Sequence, residues 1–470
     1  TVDKATFESD VTVKATSANV HAGGIVGYAA GEADIKNATF KGRLTVSGNN
    51  SSAGIIGNAN ANAKTTVKHA SFQSDVTVTS SNDHAAGVLG ITNKEADIDI
   101  ENITFVKKLI VYGNKSSGGI LGSTGSKLKL CDISIGGGST ITSVNGDAGG
   151  VAGYAQSYDA DIQNIKFIGK DTKDTKDTQD AEVIAKGNAG GLCGVLIENN
   201  KLTISNVAVS AFIQAEQNAG GLIGRLQTSA SEGKIKKSYY GGRTKEGQYA
   251  SITINNNAKE YTSNIHGSQK AGGLIGSIEN SHGLTISECF STGSVGNGAN
   301  NPNAGGFIGA AEKTGVKIKN CYSIGKVGSQ NNGGFIGFRN DSSNLTYENA
   351  YYLNTFNDPS VKAIGNVTEE ENNKLTTKYA DNVLGKNETS DQTVQTNYYD
   401  DDLKGEIYPY KNWTTDWESK EASKPIAYYG DWPLPSKLTG ELIYFYAKDK
   451  NYKDGGLYKV TGQNTNVECY

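Results

Sequence analysis

One five-residue pattern occurs ten times along this chain: a pair of small residues, then two apolar residues, then a glycine. It runs from Gly23-Gly24-Ile25-Val26-Gly27 through Gly220-Gly221-Leu222-Ile223-Gly224 to Gly333-Gly334-Phe335-Ile336-Gly337. The pairs begin at 23, 53, 86, 118, 149, 190, 220, 272, 305 and 333, so successive steps are 30, 33, 32, 31, 41, 30, 52, 33 and 28 residues. Such a period marks a repeat array, whose units cannot bury their own apolar faces and must stack on their neighbours.

The interior of the repeat identifies the unit. A short polar stretch after each motif leads to Ile35-Lys36-Asn37-Ala38-Thr39-Phe40, Ile100-Glu101-Asn102-Ile103-Thr104-Phe105, Ile162-Gln163-Asn164-Ile165-Lys166-Phe167 or Ile318-Lys319-Asn320-Cys321-Tyr322-Ser323. A third alternating run follows, as in Leu44-Thr45-Val46, Val76-Thr77-Val78 and Ile252-Thr253-Ile254. Nothing in this region has the 3.6-residue apolar spacing of a crossover helix. The expectation is an all-β fold, a right-handed parallel β-helix with three strands per rung and about eleven rungs over residues 1–355. At a strand spacing of about 4.8 Å the rod would be roughly 50 Å long.

Corner residues support the coil. In Ile35-Lys36-Asn37-Ala38 the two apolar residues are three apart, so both face inward only if the chain bends between them. Asparagine stands at that bend at Asn37, Asn102, Asn164, Asn206, Asn320 and Asn349. It tolerates the left-handed conformation, and stacked copies can hydrogen-bond along the rod. A second corner falls to the repeat glycines, where a Cβ would collide with a neighbouring rung. These are Gly24 and Gly27, Gly54 and Gly57, Gly87 and Gly90, Gly119 and Gly122, Gly150 and Gly153, Gly191 and Gly194, Gly221 and Gly224, Gly273 and Gly276, Gly306 and Gly309, and Gly334 and Gly337.

The Gly-Leu-Ile-Gly runs at 221–224 and 273–276, with the Cys-Tyr-Ser and Asn-Ala-Tyr-Tyr segments, resemble GLUG-motif repeats. The resemblance covers about residues 1–355. It implies a bacterial surface or adhesin-like protein, or the non-catalytic part of a larger surface peptidase of the immunoglobulin-A type. No catalytic residue belongs to the motif.

Composition narrows the partners. Lys plus Arg number 45 against 49 Asp plus Glu, a formal net charge of −4, and only Arg43, Arg225, Arg243 and Arg339 are arginines. That balance argues against nucleic acid as a partner. No run of eighteen apolar residues provides a membrane span. Val2-Asp3-Lys4-Ala5-Thr6-Phe7 matches the start of the Ile35 segment, so the numbering opens inside a rung, and further rungs or a partner are expected before Thr1.

Cys131, Cys289 and Cys321 read as inward residues equivalent to Ala38, Ala70 and Ile165. Cys289 and Cys321 fall on neighbouring rungs, where a free buried pair is favoured over a disulfide. Cys193 lies within a glycine motif and Cys469 close to residue 470.

Two departures from the period project loops. Residues 170–180, with Asp, Thr and Lys recurring, read as a solvated insert without the ligand spacing of a calcium loop. The 52-residue step holds Tyr239, Tyr240, Arg243, Tyr261 and His266, the first guess for a ligand surface because loops on a regular scaffold carry contacts. Beyond residue 355 the glycine motif stops, and Trp413, Trp417, Trp432 and five of the six prolines mark a second, aromatic-rich module at 356–470. Its Tyr408-Pro409-Tyr410 and Tyr429-Gly430-Asp431-Trp432-Pro433 segments resemble the closing part of Gram-positive surface proteins with such repeats. A short helix at 369–375 and a hairpin joining 442–446 to 456–460 are expected there.

Catalysis is disfavoured. Asp159 and Asp161 are close in one rung and Asp400-Asp401-Asp402 form a run, but neither is joined by the Lys, Arg or His that a polysaccharide lyase employs. His21 and His84 hold matching slots two rungs apart, too far for one zinc ion. The reading is a non-enzymatic, extracellular, surface-located solenoid with no cofactor and no metal, serving as stalk and adhesive surface for a glycan, a host or matrix protein, or like chains. The alternatives are a non-catalytic peptidase segment and a polysaccharide-processing β-helix.

Overall fold

A computed structural model describes residues 1–59, 64–92, 96–125, 127–168, 181–241, 252–254, 257–259, 265–267, 269–291, 293, 295–296, 303–323, 327–328, 332–353, 361–381 and 456–460. Within them the chain coils, each strand lying parallel on its equivalent one repeat away. The rung containing Ser52–Ala53, Ile56–Ala59, Thr65–Phe72 and Val76–Ser80 shows the pattern. Ile56 pairs with Val26 below and Leu89 above, Val67 with Ile35 and Ile100, and Val76 with Leu44 and Leu109. The rung thus holds four strand segments instead of three, because the glycine motif is a bend with a short strand on either side.

The third-strand column is a ten-stranded parallel sheet from Val11–Ala15 to Val327–Gly328. Ten stacked strands make nine turns, about 43 Å of rod at about 4.8 Å per turn. Ala38, Ala70, Ile103 and Ile133 share one continuous core, as the stacking argument requires. Phe7, Phe40, Phe72 and Phe105 form a column inside it, with ring centroids 4.5, 4.9 and 4.3 Å apart and planes nearly parallel. Offset stacking of this kind adds to the area each ring buries.

The bend before the small inward residue is left-handed in rung after rung. Its φ is 56° at Asn37, 56° at Asn102, 55° at Asn164, 56° at Asn206 and 53° at Asn320. Lys4, His69, Asp132, Lys237 and Glu288 hold the same slot and the same conformation, with φ between 50° and 59°. Stacking therefore imposes the bend whatever the side chain, and asparagine only makes it cheaper. Asn349 lies in the strand Asn344–Leu353, its side chain outside the described residues.

Two repeats differ from expectation. Ile252–Ile254 pairs antiparallel with Asn257–Lys259 as a small hairpin. The third strand of that turn is instead Ile265–Gly267, which stacks on Ile213–Ala215, so alternation alone misplaced it. Cys131 is the other case. Ile133, not Cys131, pairs with Ile103 and Ile165, and Cys131 stands outward between Glu101 and Gln163.

Parallel stacking runs past residue 355, with Lys362 on Gly333 and Ile364 on Ile336. The helix Glu369–Leu375 is capped reciprocally: the Thr368 hydroxyl accepts from the Glu371 amide at 3.2 Å while the Glu371 carboxylate accepts from the Thr368 amide at 2.8 Å. The strand Gly456–Val460 lies antiparallel between Asn344–Leu353 and Thr376–Asp381. Residues 442–446, the expected hairpin partner of this strand, lie outside the described residues.

Candidate functional site

Each glycine motif turns the chain so sharply that side chains flanking it meet on the outer surface. A Cβ on Gly87 would overlap the carbonyl oxygen of Gly119 one rung on, and a Cβ on Gly90 would overlap that of Gly57 one rung back. The backbones can nest only without side chains at these two positions. The residue two positions before the small pair then lies near a residue that follows a last glycine. His21 contacts the Asn58 side chain at 2.9 Å and stacks on Tyr28 with centroids 6.0 Å apart, and Lys270 Nζ lies 3.3 Å from Ser277 Oγ. Repeated along the rod, these contacts form a polar seam.

Its middle is the most developed part. Asp147 Oδ1 accepts from both the amide and the side chain of Asn188 at 2.8 Å, and Asn188 Oδ1 accepts from Asn218 Nδ2 at 2.7 Å. Arg225 Nε donates to Glu279 at 2.8 Å, while Lys270 reaches Glu312 at 2.8 Å and Glu279 at 3.5 Å. Burial pushes the Asp147 carboxyl up despite its Asn188 hydrogen bonds. Burial pushes Glu279 the same way, but Arg225 and Lys270 outweigh it and hold the carboxyl below its ordinary range. A second polar surface flanks the corner strands, where Lys68 bridges Asp99 at 3.0 Å and Glu101 at 2.9 Å, and Lys129 adds to both. Such arrays present fixed charges and amides suited to hydrogen-bonding recognition.

Two residues of the expected ligand surface are buried. Tyr239 and Tyr240 are 1% and 0% exposed. Tyr240 turns into the core and donates its hydroxyl to the Ala211 carbonyl at 2.6 Å, and Tyr239 stacks on Phe290 at 4.7 Å. They occupy strand positions ahead of the long insert, not the insert itself. Arg243 and Tyr261 lie outside the described residues, and His266 pairs through its backbone with Gln214 and Gly296.

Asp159 and Asp161 share the strand Ala152–Ile168 but are engaged apart, Asp159 with Asn200 Nδ2 and Asp161 with Gln163 Nε2, each at 2.6 Å. His84 Nδ1 accepts from the Ser116 amide at 3.2 Å and its Nε2 lies 3.2 Å from Asp83; burial pushes its pKa down. Cys289 and Cys321 are buried free thiols, and burial drives the Cys193 thiol up to about 12. Among the described residues no group of three or more His, Cys, Asp or Glu is placed to hold a metal ion.

The seam itself was missed in the sequence. A signal for it exists in the polar residues Ser51, His84, Ser116, Asp147, Asn188 and Asn218, each two positions ahead of its small pair.

The first complete seam turn lies in residues 18–47, and this stretch matches a known family. It is the GLUG motif. The matched stretch contains the first glycine motif, and the later glycine motifs repeat its register. A 161-residue stretch is also 32% identical to halomucin of Haloquadratum walsbyi (strain DSM 16790 / HBSQ001), covering 33% of this chain and 2% of halomucin. The aligned part is thus a small fraction of that protein's length. No solved structure matches the chain.

Proposed function

We propose that this GLUG-repeat solenoid is a non-enzymatic extracellular protein that serves as stalk and adhesive surface at a cell boundary. The observation that carries this reading is the nine-turn stack itself, a rod with one continuous apolar core and an outer seam that varies from turn to turn. A continuous core sets the spacing of the turns, and outward variation is where recognition is built. The likeness to halomucin supports a surface location. Among the described residues no helix is long and apolar enough to cross a membrane.

The test is binding of the whole chain to arrays of glycans and matrix proteins and to itself, with Arg225→Ala/Lys270→Ala as the seam variant. Saturable binding weakened by that variant supports the adhesive role. No binding to any of them reduces the protein to a spacer, and turnover of an arrayed polysaccharide would replace the reading with an enzymatic one.

A further inference from the structure

One column of side chains breaks the inside-outside rule of the coil. In the early rungs the residue after the inward corner residue points outward and is polar and at least partly exposed: Thr39, Ser71, Thr104, Ser134 and Lys166. After the buried Ala208, the same register in the later rungs holds Tyr239, Phe290, Tyr322 and Tyr351. All four are at most 4% exposed, yet none belongs to the continuous core that includes their neighbours Tyr240 and Tyr352. Their rings stack at 4.7 Å between Tyr239 and Phe290 and 4.9 Å between Phe290 and Tyr322. A covered apolar ladder on the outer face of a sheet is an interface.

We infer that this ladder is the docking face for residues 382–455 of the same chain. That segment leaves from Asp381 and returns at Gly456, two residues paired with each other, so both its ends are tethered at one point. The same returning strand pairs Lys459 with Tyr351, the last ring of the ladder. The segment is also rich in the complementary chemistry, holding all three tryptophans of the chain, Trp413, Trp417 and Trp432. Aromatic side chains supply large apolar area with few rotatable bonds, which favours this kind of side-on packing.

Because every tryptophan lies in the segment, its emission reports on that segment alone. In the full chain the emission should be that of shielded indoles, and Phe290→Ser/Tyr322→Ser should shift it to longer wavelength and raise acrylamide quenching, with hydrogen-exchange protection of residues 65–111 retained. Emission unchanged in that variant overturns the inference. Should the variant lose its protection as well, a benzoylphenylalanine photo-crosslinker at position 322 decides: capture of peptides from 382–455 supports the docking, and capture of 241–264 or of a second chain overturns it.

Discussion

Asn206 donates its side-chain amide to the side-chain oxygen of Asn164 at 3.0 Å, from one corner of the coil to the same corner on the rung below. Asn164 in turn donates to Asp132 at 2.8 Å, so the contact propagates through three turns. Each of these residues sits at φ near 55°, a conformation most side chains resist. Corner geometry and axial hydrogen bonding are therefore satisfied by the same amide.

Replacing Asn164 separates the two roles. Asn164→Gly keeps the left-handed bend and loses the ladder, and should cost about 1 kcal/mol. Asn164→Val adds backbone strain for a β-branched residue and should cost about 2–4 kcal/mol in total. Equilibrium urea unfolding measures both, and equal losses would show that the bend is not under strain.

The glycine corner is less forgiving. A Cβ on Gly87 meets the carbonyl oxygen of Gly119, a backbone atom that cannot swing aside. Gly87→Ala should destabilise the rod by on the order of 3 kcal/mol, seen as a lower melting temperature with increased hydrogen exchange in the rungs on either side.

Phe72 is the centre of the aromatic column, stacked on Phe40 below and Phe105 above. Phe72→Ala removes both stacks and leaves a void in a fully buried site, for an expected loss of about 3–5 kcal/mol. Phe72→Leu should retain most of that, and denaturation midpoints compare the two.

Two buried groups make stability depend on pH in opposite directions. Burial lowers the pKa of His84, with Lys115 acting the same way against Asp83. The folded state then binds fewer protons than the unfolded chain, so the contribution of His84 is present above about pH 6.5 and is lost as pH falls through that range. Burial raises the pKa of Glu198, partly offset by hydrogen bonds from Thr228 and the Asn200 amide. Its contribution is present in acid and is lost as pH rises through the folded value. Melting temperatures measured from pH 4 to 8 should show His84→Gln flattening the acid limb and Glu198→Gln gaining relative stability toward neutral pH.

The coil was legible because its determinants are local and repeated. The glycine motif and the Ile-x-Asn corner each recur from turn to turn, and the capped helix after Thr368 is written in four consecutive residues. Errors arose where a repeat lacked its marker. With Asp132 in place of asparagine, Cys131 was read two positions out of register, although Leu130-Cys131-Asp132-Ile133 parallels Ile100-Glu101-Asn102-Ile103. Ile252–Ile254 alternates like a third strand but has no rung beneath it to pair with.

The sequence by itself determined that the chain winds into stacked parallel turns, since a period near thirty residues leaves each turn an apolar face that only the next turn can cover. Only the tertiary structure decided which side of each strand is hidden. Tyr239 and Tyr322 carry the alternation of outward residues yet are buried, and His21 and Asn58 lie 37 residues apart yet touch. Burial and cross-seam contact depend on what other parts of the chain bring to the same place, a non-local quantity that no offset along one strand can encode.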